Sequence, residues 1–343
     1  MRSDRLGTLV NELTSALDAS SSWEEFVHDF RGRSYLAPGL DDIDHPAAEL
    51  LREWRDNGVP ANTTSDPWTA EELDSCVERG CHRSATEHSS FLREEMSEFI
   101  ENKFWTVLPY DLVKDLPNLQ LSPAAVKEER DRKPRLLCDH SFSPVNDTTA
   151  PHAPPEAMQF GGALPRTLRS VRHANPKYGP VFLAKHDVKD GFYCMFVRAG
   201  DCPRLAIILP RYEGEPQLIA IPMSCTMGWT QSPPSFSNMS ETTTDVANQS
   251  FQSSGLRVLP HRLDQPAAAL DNLSRSPLPR GEDDDLASKR LQAIHPEVAL
   301  EPELVIKCPV SNRVLSKPVG ETDVFVDDFI QAGQGGARRL KAL

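Results

Sequence analysis

The sequence predicts an α+β fold in which helices pack on an antiparallel β-sheet. Apolar residues recur at helical spacing in the first third of the chain, whereas residues 205–209 and 218–221 are short apolar runs separated by a turn. Near the C-terminus, residues 322–330 hold two further apolar runs around Asp327 and Asp328. That pattern predicts a β-hairpin that turns at these two carboxylates.

The length and composition limit the kinds of protein this chain can be. Its 343 residues are enough for two domains of ordinary size. The sequence has neither a recognisable signal peptide nor an apolar run of the roughly 18 residues that a spanning helix needs. The seven scattered cysteines suit a reducing compartment. We therefore expect a soluble intracellular protein of the cytoplasm or nucleus, without contact with a membrane.

The charge is unevenly distributed along the chain. The formal net charge is −13, which is unfavourable for binding to phosphates. Residues 127–212 are the exception, because they hold 14 Lys and Arg against 9 Asp and Glu. A nucleic-acid surface, if there is one, is therefore expected in this middle segment.

The first 86 residues are predicted to form an acidic helical N-terminal region. One helix follows Pro46 and ends before Gly58, and a second begins at a capping box of Thr69 and Glu72. None of these helices carries recognisable chemistry. They indicate either a structural role, which we favour, or a small accessory or partner-binding region.

Two more helices are predicted from their apolar faces. The first covers residues 87–105 and has glutamates on its polar side. The second covers residues 164–174, with Leu164, Leu168 and Val171 expected to face inward and three arginines to face outward. Such an arginine face suits either contact with a phosphate backbone or simple solvation.

Two motifs in the middle of the chain complement the hairpin. Residues 182–193 read as a strand that carries Asp187, followed by a turn and by Phe192, five residues after the aspartate. Residues 227–236 read as a glycine turn that leads into a helix. In this order, and with the Asp-Asp hairpin last, the motifs resemble the palm of reverse transcriptases, more those of retrotransposons than those of retroviruses.

The resemblance covers residues 87–332 and implies a right-hand polymerase fold, with fingers and most of a palm in residues 87–343. Residues 250–300 are rich in Ser, Pro, Asp and Gly and are expected to form a disordered insertion that lengthens the usual spacing before the hairpin. Since the sequence ends 15 residues after Asp328, a truncated enzyme without a thumb is expected.

Three carboxylates carry the expected chemistry. Side chains of like charge repel one another, and hard oxygen ligands select Mg²⁺ or Mn²⁺. The resemblance implies that Asp187, Asp327 and Asp328 form a catalytic triad that holds two Mg²⁺ ions, with Mn²⁺ as a substitute. Taken alone, the hairpin carboxylates also fit a solvated acidic turn.

The resemblance also implies a nucleotide site. Lys133 and Arg135 match the fingers strand, from which cations would hold a triphosphate; a solvated surface strand is the alternative. Phe192 is expected beneath the sugar, unless it is a core aromatic. Met227 and Gly228 are expected to lie against the template and the nucleotide.

The function that the resemblance implies is template-directed DNA synthesis from a retroelement, with RNA or DNA as the primed template and deoxynucleoside triphosphates as substrates. An isolated chain without a thumb is expected to extend primers poorly. The main alternative is a catalytically inactive remnant that keeps the palm fold and binds nucleic acid or protein. A metal-dependent nuclease is a third reading. It leaves the glycine turn without a role, and likewise Phe192 as an aromatic gate that selects the sugar.

Overall fold

The computed structural model of the chain describes residues 5–32, 38–130, 132–151, 158, 160–252 and 315–335. These fall into two compact units. The first holds the described residues within Met1–Leu164, Lys185–Ala247 and Thr322–Ile330, and the second those within Pro165–Ala184, Asn248–Glu321 and Gln331–Leu343.

Helices and strands both contribute to the fold, in agreement with the α+β prediction. The helices are α1 (Arg5–Ala19), α2 (Trp23–Arg31), α3 (Ala48–Asn57), α4 (Ala70–Arg79), α5 (Arg83–Glu87), α6 (Ser89–Glu101), α7 (Tyr110–Val113), α8 (Val145–Thr148), α9 (Ala163–His173) and α10 (Ser232–Gln252). The strands are β1 (Trp105–Pro109), β2 (Leu121–Lys127), β3 (Arg135–Cys138), β4 (Val181–Asp187), β5 (Ala206–Ile208), β6 (Leu218–Pro222), β7 (Gly320–Phe325) and β8 (Asp328–Gln334). Within the described part of the chain, no helix is both long and apolar enough to cross a membrane.

The strands form two sheets, and this division corrects one expectation. A five-stranded sheet has the order β1-β6-β5-β2-β3, and a three-stranded sheet has the order β4-β8-β7. The apolar runs of β5 and β6 were expected beside the hairpin, in one antiparallel sheet. They lie instead in the five-stranded sheet, where β2 and β5 pair in parallel. Every residue of β5 and β6 is buried, which is typical of strands covered on both faces.

The N-terminal helices pack into the core of the first unit. Leu6, Trp23 and Phe26 are buried in the same apolar cluster as the five-stranded sheet. Arg31 fastens α2 to this core by donating hydrogen bonds to the carbonyl oxygens of Val197 (2.5 Å) and Met223 (2.6 Å). The N-terminal helices therefore help to support the segment 196–223.

The local signals in this region were interpreted correctly. Thr69 and Glu72 form the reciprocal capping box of α4, and Gly80 follows its last turn with φ +72°. Gly58 ends α3 with φ +84°, and a Cβ at this position would lie 2.5 Å from the backbone nitrogen of Arg198. The chain can approach residues 197–198 this closely only with glycine.

Two helix predictions need correction. The helix expected over residues 87–105 is shorter: α6 ends at Glu101, Lys103 takes φ +64°, and Trp105 begins β1. α9 forms where expected, but Leu164 and Leu168 are each 57% exposed. The helix buries Ala163 and Thr167 instead, because packing rather than hydrophobicity alone selects the inward face.

The second unit contains most of α9 and the outer ends of the strands of the smaller sheet. The side-chain amide of Gln334 stabilises the segment between α9 and β4 by donating hydrogen bonds to the carbonyl oxygens of Asn175 (2.9 Å) and Gly179 (2.6 Å). Of the predicted insertion at residues 250–300, residues 250–252 belong to α10 instead, and the rest lies outside the described residues.

Candidate metal and nucleotide site

The end of β4 and the β7–β8 hairpin bring three carboxylates together. Asp187 is the last residue of β4, Asp327 lies in the hairpin turn, and Asp328 begins β8. One ligand oxygen from each lies within 4.8 Å of the other two. The backbone N–H of Val188 donates to the carbonyl oxygen of Asp327 at 2.9 Å, which fixes the end of the strand against the turn.

The hairpin turns one residue earlier than predicted. Its two-residue loop is Val326-Asp327, so Asp328 belongs to the strand rather than to the turn. Val326 has φ +60°, a conformation that is rare for a β-branched residue and costs about 1–3 kcal/mol. Packing of its half-buried side chain against the core holds this geometry and presents both aspartates at one end of the sheet.

Lys185 is a member of the site that sequence reasoning missed. Its Nζ lies 2.7 Å from Asp328 Oδ2. Lys185 stands two residues before Asp187 on the same strand, so both side chains point to one face of the sheet. The hydrogen bond to Asp328 raises the pKa of Lys185. Its 62% exposure makes the ion pair a weak one that another cation can displace.

The donor set fits a hard divalent cation. Asp187 is exposed, while Asp327 and Asp328 are half-buried, so all three remain within reach of solvent ions. Several carboxylate oxygens, without sulfur or imidazole among them, are the ligands that Mg²⁺ and Mn²⁺ prefer. The three aspartates are the residues that would hold such ions.

Phe192 lies next to this group. A Cβ at Gly191 would be 3.7 Å from Asp327 Cβ and 3.9 Å from Phe236 Cζ, so the turn after β4 contacts both the hairpin and α10. The rings of Phe192 and Phe236 meet edge to face, with centroids 5.4 Å apart. Phe192 is half-buried, which suits either a surface beneath a sugar or a core aromatic. Its role as a gate stays a prediction.

The glycine turn forms the next part of the wall. Gly228 has φ +102°, and a Cβ there would lie 2.2 Å from the carbonyl oxygen of Cys138, at the end of β3. Asn146 holds the turn, since its side chain donates to the Gly228 carbonyl at 2.9 Å and accepts from the Thr230 N–H at 3.0 Å. Met227, beside it, is 45% exposed.

α10 joins the two parts of the wall. Ser232, its first residue, donates to the Thr226 carbonyl at 2.7 Å and so anchors the helix beneath the glycine turn. One turn later, Phe236 reaches Gly191 and Phe192. The hairpin, the aromatic pair, α10 and the end of β3 are therefore connected by packing. Ser232 and Phe236 are fully buried within it, and Phe192 and Met227 reach the surface.

A buried histidine also contributes to this packing, and no sequence pattern distinguished it. His140 lies in the loop after β3, with Nδ1 3.0 Å from the Ser122 hydroxyl and Nε2 3.4 Å from the Thr226 hydroxyl. Burial lowers the pKa of His140 to about 4, although the nearby Asp139 acts in the opposite direction. The neutral ring thus links the five-stranded sheet to the segment before Met227.

The two predicted phosphate ligands are engaged elsewhere. Lys133 Nζ lies 2.5 Å from Glu95 Oε2 and 3.0 Å from Glu98 Oε2, both on α6. Arg135 Nε lies 3.1 Å from Glu129 Oε1. Both cations are about half exposed, so a phosphate could reach them only by competing with these glutamates. Their nucleotide-binding role stays a prediction.

A scan against models of known protein families and a comparison with curated proteins gave no match to this chain.

Proposed function

We propose that this chain is a reverse-transcriptase-like polymerase that adds deoxynucleotides to a primed RNA or DNA template. The observation that carries the proposal is the convergence of Asp187, Asp327 and Asp328 within 4.8 Å at the end of a strand and an adjacent hairpin. The packing that connects Phe192 to the Gly228 turn through α10 and the buried Phe236 supports it, because a polymerase needs a fixed wall for base and sugar beside its metal ligands.

The residues of the site divide the work. The three aspartates would hold two Mg²⁺ ions, which when bound would supply activation of the primer hydroxyl and charge neutralisation for the departing pyrophosphate. Phe192 positions the sugar and the Gly228 turn lies against the base, while the missing side chain of Gly228 lets the turn pack on the Cys138 carbonyl. Lys133 and Arg135 exchange Glu95 and Glu129 for the triphosphate. The protein thus acts by positioning and by electrostatic stabilisation.

A second candidate is a palm that no longer catalyses and instead binds nucleic acid or protein. It is favoured by ion pairs that the cationic side chains around the site already form with carboxylates of the same chain. Lys185 pairs with Asp328, Lys133 with Glu95, and Arg135 with Glu129. In this reading, the ion pairs are permanent and stabilise the fold rather than await a metal or a nucleotide.

Single-nucleotide addition to an annealed primer distinguishes these candidates. Wild type should add one deoxynucleotide in Mg²⁺ or Mn²⁺, and Asp187→Asn/Asp327→Asn should not. Asp190→Asn is the matched control, since Asp190 lies in the neighbouring turn at φ +62°, a conformation that asparagine tolerates.

Calorimetry with Mn²⁺ completes the test. Addition by wild type and the control alone would support the polymerase. Absence of both nucleotide addition and Mn²⁺ binding at the triad would favour the non-catalytic palm. Equal addition by all three proteins would refute the assignment of the aspartates.

A further inference from the structure

Phe142 is an exposed aromatic side chain in the loop between β3 and α8. Its side chain is 55% exposed. The guanidinium carbon of Arg79 lies 4.0 Å from the centre of its ring, and the ring of His82 meets it edge on at 5.5 Å. Arg79 is the last residue of α4, so the N-terminal region contributes directly to this cluster.

Hydrogen bonds fix the loop that carries the ring. The backbone N–H of Phe142 donates to Asp139 Oδ1 at 3.0 Å, and Asp139 Oδ2 lies 2.9 Å from His82 Nε2. Asn146 ties the far end of the loop, since its side chain donates to the hydroxyl of Ser141 as well as to Gly228. An exposed ring is thus held in place by polar contacts on both sides of it in the sequence.

The loop also sets the distance between this ring and the glycine turn. Phe142 precedes Asn146 by four residues, which span at most about 14 Å of extended chain. Successive nucleotides of one strand advance by about 3.4 Å. A strand that passes the Gly228 turn would therefore reach Phe142 within about four nucleotides of it.

We infer that Phe142 and Arg79 form a stacking platform for an unpaired base of single-stranded nucleic acid. Base stacking needs an exposed aromatic face, and an adjacent guanidinium adds cation–π attraction and a contact for phosphate. Both carboxylate oxygens of Asp139 are engaged by His82 and the Phe142 N–H, which weakens the repulsion between this carboxylate and a nearby phosphate. The platform rests on the proposed function in one respect: it places the template strand along the Gly228 turn.

The chain's overall charge makes the platform measurable. With a net charge of −13, the protein offers little general attraction for phosphates. Binding of a fluorescein-labelled oligothymidylate, followed by anisotropy at about 50 mM salt, should then depend strongly on stacking. Phe142→Ala should weaken it about 5- to 150-fold, the range for the loss of one stacked base. Leu112→Ala, which truncates an apolar side chain 40% exposed on α7, should leave it unchanged.

Two further variants separate stacking from a structural role. Phe142→Trp should keep wild-type affinity, and the added indole emission should be quenched when the oligonucleotide binds. Arg79→Gln should make the negative slope of log K against log salt shallower by about 0.7, the value for one phosphate contact on a single strand. Phe142→Ala should leave this slope unchanged.

The inference is overturned if Phe142→Ala binds within twofold of wild type, or if the introduced indole is not quenched. It is also overturned if wild type does not bind the oligonucleotide. Asp187→Asn/Asp327→Asn should bind the oligonucleotide like wild type. Oligonucleotide binding by wild type that depends on Phe142, without any nucleotide addition by wild type, would count against the proposed function alone. Nucleotide addition by wild type, together with wild-type affinity of Phe142→Ala for the oligonucleotide, would count against the platform alone.

Discussion

Asp327→Asn should have opposite effects on stability with and without a divalent cation. One carboxylate oxygen of Asp327 lies within 4.8 Å of a carboxylate oxygen of Asp187 and of Asp328. Two unit charges at this distance repel by about 1 kcal/mol in a water-like dielectric. The exposure of Asp187 and the partial burial of its partners keep the effective dielectric high. Removing the charge of Asp327 therefore relieves about 1–2 kcal/mol of repulsion, less the part that Lys185 already offsets in wild type.

A bound cation reverses this order. Ligand that binds only the folded state stabilises it by about 2.7 kcal/mol at a concentration one hundred times its Kd. Wild type should gain this amount in Mn²⁺, whereas the variant, with one ligand lost, should gain much less. Without metal the variant should be the more stable protein, and in saturating Mn²⁺ wild type should be.

Thermal unfolding followed by circular dichroism measures both states. For a protein of this size, 1 kcal/mol corresponds to a shift of roughly 1.5 °C in Tm. The melting curves of wild type and Asp327→Asn should therefore exchange order between chelator and Mn²⁺, and those of Asp190→Asn should follow wild type throughout. Equal stabilisation of wild type and Asp327→Asn by Mn²⁺ would refute the metal centre at these carboxylates.

Three further predictions concern the surface around the triad. Gly228→Ala should lower the free energy of unfolding, measured by chemical denaturation, by about 2–5 kcal/mol, because it combines a positive φ with a Cβ 2.2 Å from a carbonyl oxygen. The control Gly214→Ala, with φ +78° and open space around the new Cβ, should lose only about 1–2 kcal/mol, and equal losses in the two variants would contradict the close contact at Gly228. Phe192→Val should raise ribonucleotide addition relative to deoxynucleotide addition at least about tenfold in single-nucleotide assays, whereas an equal fall for both sugars with a lower Tm would identify a core aromatic. Burial lowers the pKa of His140 to about 4, so on acidification this ring takes up a proton in the unfolded chain before it does so in the folded one. The free energy of unfolding should therefore fall by up to about 3 kcal/mol as the pH drops from about 6.5 to 4, and an identical pH profile in His140→Gln would contradict this.

The sequence alone predicted those features that depend on neighbouring residues. The capping box at Thr69 and the glycine that ends α4 rest on contacts within one helical turn. The strand of Asp187 and the hairpin of Asp327 and Asp328 follow from strand propensity broken by turn residues. These signals were sufficient to locate the three carboxylates, because each lies at the end of a local element.

Tertiary structure decided which distant residues meet. Lys133 read equally well as a phosphate ligand or as a solvated charge, until folding placed the glutamates of α6 beside it. Lys185 carried no sequence signal, and only folding pairs it with Asp328. The exposed position of Leu168 and the buried position of His140 likewise depend on elements far away in the sequence. The physical reason is that burial and charge pairing are properties of the packed surface around a side chain, and the residues that form this surface come from separate segments of the chain.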